Sequence, residues 1–388
     1  MTDNFAEEAQ RIHFSSIVID THVDTVVRWI DLHEDLGTET GRGYNDLPLM
    51  KAGNLSAAFY ACCVGFNCVA EGTAVRRALD MIDGVKEMCR KYPDVISVAR
   101  SAADVRAATA DGKLAAIIAI EGGHAISDDL AVLRQFFELG VRYMSLTHFN
   151  THNWADSATD AATNGGLSEF GREVIVEMNR LGMIVDVSHS ADSTFEQAME
   201  LSTKPVMASH SSIRTLVDHP RNLTDPMLRA IANSGGVACI TAWPEYVSRD
   251  YWQALEDRAD EVSGGPAEPG SNRRKSASGA SSAISDLMAM AAGDPWKKYN
   301  VLVDAGIPFP TVDHLLDHID YAVNVAGIDH VGVGTDHGAL RFDIQGIEDC
   351  SKLPVLTEGL LRRGYDEDGV RKILGENILR VMKDVIGA

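Results

Sequence analysis

Seven short apolar runs of this chain each lead to a side chain that can bind a metal ion or move a proton. The residues that follow these runs are His22, Glu121, His148, His189, His210, Tyr246 and Asp336. One histidine after an apolar run would carry little information. Several placed alike predict parallel strands whose carboxyl ends face one centre, where (β/α)8 barrels carry their catalytic residues. Imidazoles and carboxylates suit Zn2+, so the pattern predicts a hydrolytic site with two metal ions.

Two motifs offer the ligands of the first metal. His22 and Asp24 form an H-x-D pair after the run SIVID, and Glu121 ends the run 114–120 before two glycines. Alternation along a strand should point the pair toward the barrel mouth, although such a pair could also form a hydrogen-bonded turn. The two oxygens of Glu121 could bridge metals roughly 3.5–4 Å apart, or Glu121 could cap the next helix. The other histidines at strand ends favour the metal interpretation.

A second metal position is predicted from two later strand ends. His189 and His210 end consecutive apolar runs and lie 21 residues apart. Asp186, on the run before His189, is expected to face a neighbouring strand or to support a ligand histidine from behind. Three more histidines near the mouth, of a kind that is more often structural than functional, are His124, His152 and His219.

Three residues are candidates for catalysis and substrate binding. His148 could polarise a carbonyl or stabilise an oxyanion beside the metals. Asp336, after the last strand, is placed to act as a general base that takes a proton from water and returns it to the leaving group. Arg221, in the loop HPRN, could hold a substrate carboxylate in a bidentate contact, or it could form a surface ion pair.

For these candidate residues to meet at one centre, strands and helices must alternate along the chain. Strands are expected near 17–21, 55–63, 114–120, 142–147, 183–188, 205–209, 236–241 and 330–335. The helical patterns between them include 73–92, 129–140, 168–182 and 225–235. Eight strand–helix units predict an α/β fold, a (β/α)8 TIM-type barrel that forms a single domain over residues 1–388.

One long excursion separates the seventh and eighth strands, at about 250–305. Its middle, 261–283, is rich in Gly, Pro and Ser and is predicted to be mobile, whereas both flanks show helical patterns. The excursion could cover the barrel mouth, act as a lid or form a subunit contact. A solvated insertion without a role is an equal alternative.

Composition narrows the class of protein. There are 35 Lys and Arg residues against 56 Asp and Glu residues, and the formal charge of −21 disfavours partners such as nucleic acid or an anionic membrane. The six cysteines show no zinc-ribbon or redox spacing, so we expect buried, reduced thiols rather than a disulfide. Neither a signal peptide nor a membrane-spanning run is recognisable, which predicts a cytoplasmic protein.

The same residues make the chain similar to the membrane (renal) dipeptidase family of the metal-dependent amidohydrolases. The matching stretches, in order, are IDTHVD, NDLPLMKAG, IEGGHAI, VRYMSLTH, NTHNWADS, GLSEFGREVIVEMNRLGMIVDVSH, SHSS, HPRN and VGVGTDHG. The resemblance covers about 17–384 except for the excursion. It implies a barrel with two zinc ions that hydrolyses dipeptides, typically as a homodimer.

The resemblance also implies a role for each matched residue. His22 and Asp24 match the ligands of one zinc, Glu121 the bridging carboxylate, and His189 with His210 the ligands of the other zinc. The residues matched to substrate and catalysis are His148 (substrate contact and tetrahedral intermediate), Arg221 (the substrate's C-terminal carboxylate), Tyr246 (substrate pocket) and Asp336 (catalytic base). Tyr246 matches less closely because its flanking residues differ.

The sequence departs from the family in the stretch Asp336-His337-Gly338, where a D-F-D-G pattern is usual, and in the length of the excursion. We therefore expect a zinc dipeptidase, with L-Xaa-D-Xaa substrates implied by resemblance only. In the expected mechanism a metal-bound hydroxide attacks the peptide carbonyl and Asp336 is the general base. The alternatives are a metal-dependent hydrolase of another small amide, an N-acyl amino acid or a lactone, and a catalytically silent barrel with a binding role.

Overall fold

A barrel of parallel strands forms the centre of the molecule, which the computed structural model describes over residues 4–38, 45–258, 295–338 and 344–387. The strands are β1 (Val18–Val23), β2 (Leu55–Cys63), β3 (Ile96–Val98), β4 (Leu114–Glu121), β5 (Val141–Ser145), β6 (Ile184–Asp186), β7 (Met207–Ala208), β8 (Val237–Ile240) and β9 (Val331–Val333). Eight follow the order β1-β2-β4-β5-β6-β7-β8-β9, and β3 pairs with β4 outside this path. The predicted (β/α)8 fold and its eight strands are confirmed; β3, of three residues, is an addition.

The barrel closes between β1 and β9, the first and the last strand along the chain. The backbone N–H of Asp336 donates to the carbonyl of His22 at 3.0 Å. Just below, the buried carboxylate of Asp20 accepts hydrogen bonds from the backbone N–H (2.9 Å) and the hydroxyl (2.5 Å) of Thr335. These bonds join residues that are far apart in the sequence, and they place His22 beside Asp336.

Helices pack around the barrel. They are α1 (Phe5–Phe14), α2 (Val26–Ile30), α3 (Leu47–Ala52), α4 (Asn67–Ala70), α5 (Ala74–Lys91), α6 (Ala102–Ala110), α7 (Leu130–Leu139), α8 (Glu169–Leu181), α9 (Asp192–Leu201), α10 (Asp225–Asn233), α11 (Pro244–Val247), α12 (Arg249–Asp257), α13 (Pro295–Asp304), α14 (Val312–Ala326), α15 (Leu353–Arg362), α16 (Glu367–Arg371) and α17 (Asn377–Ile386). The four predicted helices are present as α5, α7, α8 and α10. Three of them end as the glycines predict, with Gly140, Gly182 and Gly235 in the left-handed region at φ 112°, 78° and 79°.

Burial of apolar side chains holds the strands and helices together. Every residue of β4 is buried, and the same holds for β2 up to Cys62, as expected for parallel strands covered on both faces. One cluster joins Phe59, Ile117 and Tyr143 to the apolar residues of α17, so the last helix completes the core around the strands. No helix among the described residues is both long and apolar enough to cross a membrane.

Gly334, just after the end of the last strand, marks a close contact inside the barrel. A Cβ atom there would lie 1.9 Å from the carbonyl oxygen of Ser209 and 2.4 Å from Oγ1 of Thr21. Because one of these atoms is backbone, we expect Gly334→Ala to lower the free energy of unfolding by roughly 2–3 kcal/mol. Thermal or urea unfolding measures this, with Gly65→Ala as the control because its Cβ would meet only the end of the Asn67 side chain. Equal stability of both variants would contradict this packing.

The two described flanks of the excursion pack against each other. α11 and α12 leave β8, and α13 returns toward α14. Their side chains form a small apolar cluster that contains Trp243, Tyr246, Tyr251, Leu255, Leu302, Ala305 and Ile307. Helices on both flanks agree with the prediction. The stretch 261–283, predicted to be mobile, lies outside the described residues, and the covering role of 250–305 stays a prediction.

Candidate metal centre

The nine candidate residues gather at the carboxyl ends of the barrel strands. His22 lies in β1, Glu121 is the last residue of β4, and the others follow their strands within short loops or, for Tyr246, in α11. His22 and Asp24 reach the centre, although β1 changes register between Asp20 and Val23.

Glu121 lies at the middle of the histidine cluster. Its Oε1 is 3.4 Å from Nε2 of His22, 3.1 Å from Nε2 of His189 and 3.4 Å from Nε2 of His210. The Nε2 atoms of His189 and His210 are 2.9 Å apart. Asp24 Oδ1 lies 3.7 Å from His22 Nε2. One carboxylate thus touches two groups of ligands, as a bridging role requires.

The donor set fits divalent metal ions. Two imidazole Nε2 atoms 2.9 Å apart share at most one proton, and a cation between them satisfies both lone pairs. His22 Nε2 and Asp24 Oδ1 are buried and make no hydrogen bond within the described part of the chain. The ligand atoms of His22, Asp24 and Glu121 lie within 4.8 Å of one another, and so do those of Glu121, His189 and His210. Nitrogen and carboxylate oxygen at this spacing are the usual donors for Zn2+.

The charges of the cluster favour a cation as well. Burial, and then the charge of Glu121, raise the pKa of the Asp24 carboxyl well above its usual range. Burial raises the pKa of Asp336 to about 7, with His22 opposing the shift and Glu121 adding to it. Burial lowers the pKa of His22, but Glu121, Asp24 and Asp336 outweigh it and raise the value to about 10. Positive charge is therefore stabilised between these carboxylates.

His148 lies beside Glu121 and next to the ligand histidine His189, whose ring centre is 4.7 Å from its own. Its Nε2 is 3.8 Å from Glu121 Oε2, and burial lowers its pKa to about 4, so the ring is neutral. The hydroxyl of Ser157 donates to the His148 carbonyl at 2.6 Å and fixes the loop. Cys63 Sγ lies 3.9 Å from His148 Nδ1 and was not predicted as a site residue. Its signal was its position at the end of β2, paired in register with Glu121.

Arg221 is buried in the centre, which excludes the surface ion pair. Its Nη1 donates to Ser211 Oγ at 3.1 Å and its Nη2 donates to the carbonyl of His210 at 3.0 Å. The guanidinium lies 5.2 Å from the ring centre of Tyr246. Its Nε is buried without a hydrogen-bond partner within the described residues. A buried cation with a free donor can bind an anionic group of a ligand.

Two site residues, His189 and Asp336, have an unusual backbone conformation. Their φ angles of 68° and 62° lie in the left-handed region.

Three nearby histidines do not join the cluster. His124 Nε2 pairs with the carbonyl of Val64 at 2.7 Å, and His152 Nε2 pairs with the carbonyl of Leu146 at 2.9 Å. His219 packs its ring against Tyr246 and Trp252. The structural interpretation of these three histidines fits their contacts.

Fold and site together define the class: a (β/α)8 barrel that gathers histidines and carboxylates at the carboxyl ends of its strands. A model of the membrane dipeptidase family (peptidase family M19) matches residues 6–387. The chain belongs to this family of metallopeptidases.

Individual relatives agree with this membership. Dipeptidase 3 of Mus musculus is 33% identical over 355 residues, which are 89% of this chain and 58% of that protein. Dipeptidase 3 of Rattus norvegicus is 33% identical over 350 residues, 89% of this chain and 59% of that protein. The chain therefore spans less than two thirds of the length of these relatives.

Solved structures share the fold over their whole length. The probable dipeptidase PvdM from Pseudomonas aeruginosa is 27% identical with a TM-score of 0.85, covering 100% of this chain and 99% of that one. The metallopeptidase called dipeptidase AC is 25% identical with a TM-score of 0.75, covering 96% and 100%.

Proposed function

We propose that this chain is a dipeptidase that uses two zinc ions bridged by Glu121. The observation that carries the proposal is the contact of one carboxylate with two ligand groups, His22 with Asp24 and His189 with His210. Membership of the membrane dipeptidase family supports the reaction type. Metal ions held by these residues would supply a Lewis acid for the peptide carbonyl and would lower the pKa of water.

The surrounding side chains have separate tasks in the proposed reaction. The neutral ring of His148, at the edge of the cluster, donates one N–H to the carbonyl oxygen as negative charge develops there. Asp336 Oδ1 lies 3.7 Å from His22 Nε2, close enough to the cluster to accept the proton of the attacking water. Asp336 then returns that proton to the leaving amine, because a peptide nitrogen leaves poorly as an anion.

Arg221 binds the C-terminal carboxylate of the substrate in this proposal. Its free Nε and its burial give a strong and directional contact for an anion. Tyr246 supports the guanidinium with its ring face and lines the same pocket. A carboxylate fixed at this place limits the substrate to one residue beyond the cleaved bond, which favours dipeptides. The resemblance to the family adds L-Xaa-D-Xaa dipeptides to the proposed substrates. Assembly as a homodimer and a cytoplasmic location stay predictions.

The first test is metal content together with a substrate panel. We expect about two zinc ions per purified chain, hydrolysis of free L-L or L-D dipeptides, and no hydrolysis of N-acetylated dipeptides. Mass spectrometry for metals and chromatography of the released amino acids measure both. Two metals without dipeptide cleavage would move the search to another small amide, an N-acyl amino acid or a lactone. A protein that binds no zinc would contradict the proposed centre itself.

A further inference from the structure

Behind the histidine cluster, two buried side chains form a hydrogen-bonded relay to His210. The hydroxyl of Ser209 donates to Asp186 Oδ2 at 2.6 Å and lies 2.7 Å from His210 Nδ1. Oδ1 of Asp186 accepts the backbone N–H groups of Ser188 (3.0 Å) and Ser209 (2.8 Å). Because the hydroxyl of Ser209 donates its only proton to the Asp186 carboxylate, its oxygen must accept a hydrogen bond from Nδ1 of His210. The relay therefore keeps the proton of His210 on Nδ1 and the lone pair of Nε2 directed at Glu121.

A different relay supports His22. Its Nδ1 lies 2.8 Å from the hydroxyl of Tyr143, which itself donates to the carbonyl of Thr21 at 3.1 Å. His189 lacks such support, since its buried Nδ1 has no hydrogen-bond partner within the described residues. The two ligand groups are therefore unequal: that of His22 also contains Asp24, whereas that of His189 depends on His210 for its only oriented imidazole.

We propose that Ser209, held by Asp186, is a positioning residue that sets the metal affinity of the position formed by His189 and His210. The inference rests on the proposed two-metal centre. A donor of fixed tautomer binds a metal without first moving a proton, and loss of such a supporting partner commonly costs 10- to 100-fold in metal affinity. Because the other position has its own relay and an additional carboxylate, only one of the two metals should be affected.

Two substitutions test the relay in different ways. Ser209→Ala removes the acceptor of the Nδ1 proton. Asp186→Asn keeps the size of the side chain but reverses the direction of its hydrogen bond with Ser209. The backbone N–H groups that donate to Oδ1 hold the amide oxygen in that place, so the amide nitrogen faces Ser209. The Ser209 hydroxyl must then donate to His210 Nδ1, and the proton moves to Nε2, where it blocks the metal. We expect each variant to bind one zinc as the parent does and the second about 10- to 100-fold more weakly.

The measurement is zinc affinity and stoichiometry by titration against a competing chelator, with circular dichroism to establish folding. Thr357→Ala is the matched control, because its hydroxyl lies 2.7 Å from Nδ1 of another buried histidine, His13, outside the cluster. The control should lose stability but bind both metals as the parent does. If Ser209→Ala does not fold, Asp186→Asn makes the same comparison without a change in volume.

Parent-like binding of both metals by a folded Asp186→Asn protein would overturn the relay and leave the proposed function intact. Weakening of both metals by the same factor would overturn the assignment to one position. A parent that binds no zinc would instead contradict the metal centre. Activity is not needed for any of these outcomes.

Discussion

Asp336→Asn should bind metal as the parent does but lose about 100- to 10,000-fold in kcat on dipeptides. The amide keeps the size of the side chain but cannot accept the proton of water or return it to the leaving amine. Asparagine also tolerates a left-handed backbone, so the φ of 62° at this position should be kept. A large loss of turnover without a change of fold is therefore the expected signature of a general base.

Steady-state kinetics and metal analysis on the same preparation check this result. Asp111→Asn, which changes an exposed carboxylate just after α6, is the control for the loss of one charge and should be fully active. Near-parental turnover of Asp336→Asn would show that another group moves the proton. Loss of zinc from that variant would assign Asp336 to metal binding.

Arg221→Ala should lower kcat/KM for dipeptides by about 100- to 1,000-fold, or roughly 3–4 kcal/mol, through a higher KM. The guanidinium is buried, so removal of its charge leaves a substrate carboxylate unpaired in a site shielded from water. The sharper readout is the ratio of activities on a dipeptide and on its C-terminal amide. The parent should strongly prefer the free acid, and the variant should have lost most of that preference.

Arg214→Ala is the matched control for this experiment. Arg214 lies in the same loop region but forms a bidentate ion pair with Asp192 at 2.7 and 2.8 Å. Its removal should affect stability and leave the preference for the free acid unchanged. An Arg221→Ala protein that still discriminates between acid and amide would remove the reason to assign Arg221 to the carboxylate, and with it the main argument for dipeptides.

The sequence was sufficient to predict the barrel and the residues that gather as candidate ligands, and the reason is geometric. Parallel strands covered on both faces read as apolar runs, and their carboxyl ends meet, so polar residues after such runs converge. His189 and Glu121 are 68 residues apart by number, yet their side chains touch for this reason alone. The short strand β3 has no such pattern, since three residues cannot show a period.

The residues that support the site were beyond prediction. Tyr143 and His22 are 121 positions apart, and Ser209 and Cys63 belong to residue types that occur throughout the core. A hydroxyl or thiol gains a role only through a neighbour brought close by the fold, and no spacing in the sequence encodes it. Asp186 is the exception: its place on an apolar strand predicted that it faces a neighbouring strand or supports a ligand histidine. Its contact with Ser209, just after the neighbouring strand β7, agrees with the first of these alternatives.

The left-handed backbone of His189 and Asp336 has a consequence for the evolution of the chain. Side chains with a Cβ atom are disfavoured there by up to about 1–2 kcal/mol relative to glycine, and asparagine, aspartate and histidine tolerate the conformation better than most. The fold thus gives up stability at two positions where the proposed chemistry needs an imidazole and a carboxylate. Selection for heat resistance alone would favour glycine at both positions. In a lineage that is no longer selected for activity, we expect these two residues to be replaced early and the barrel around them to become more stable.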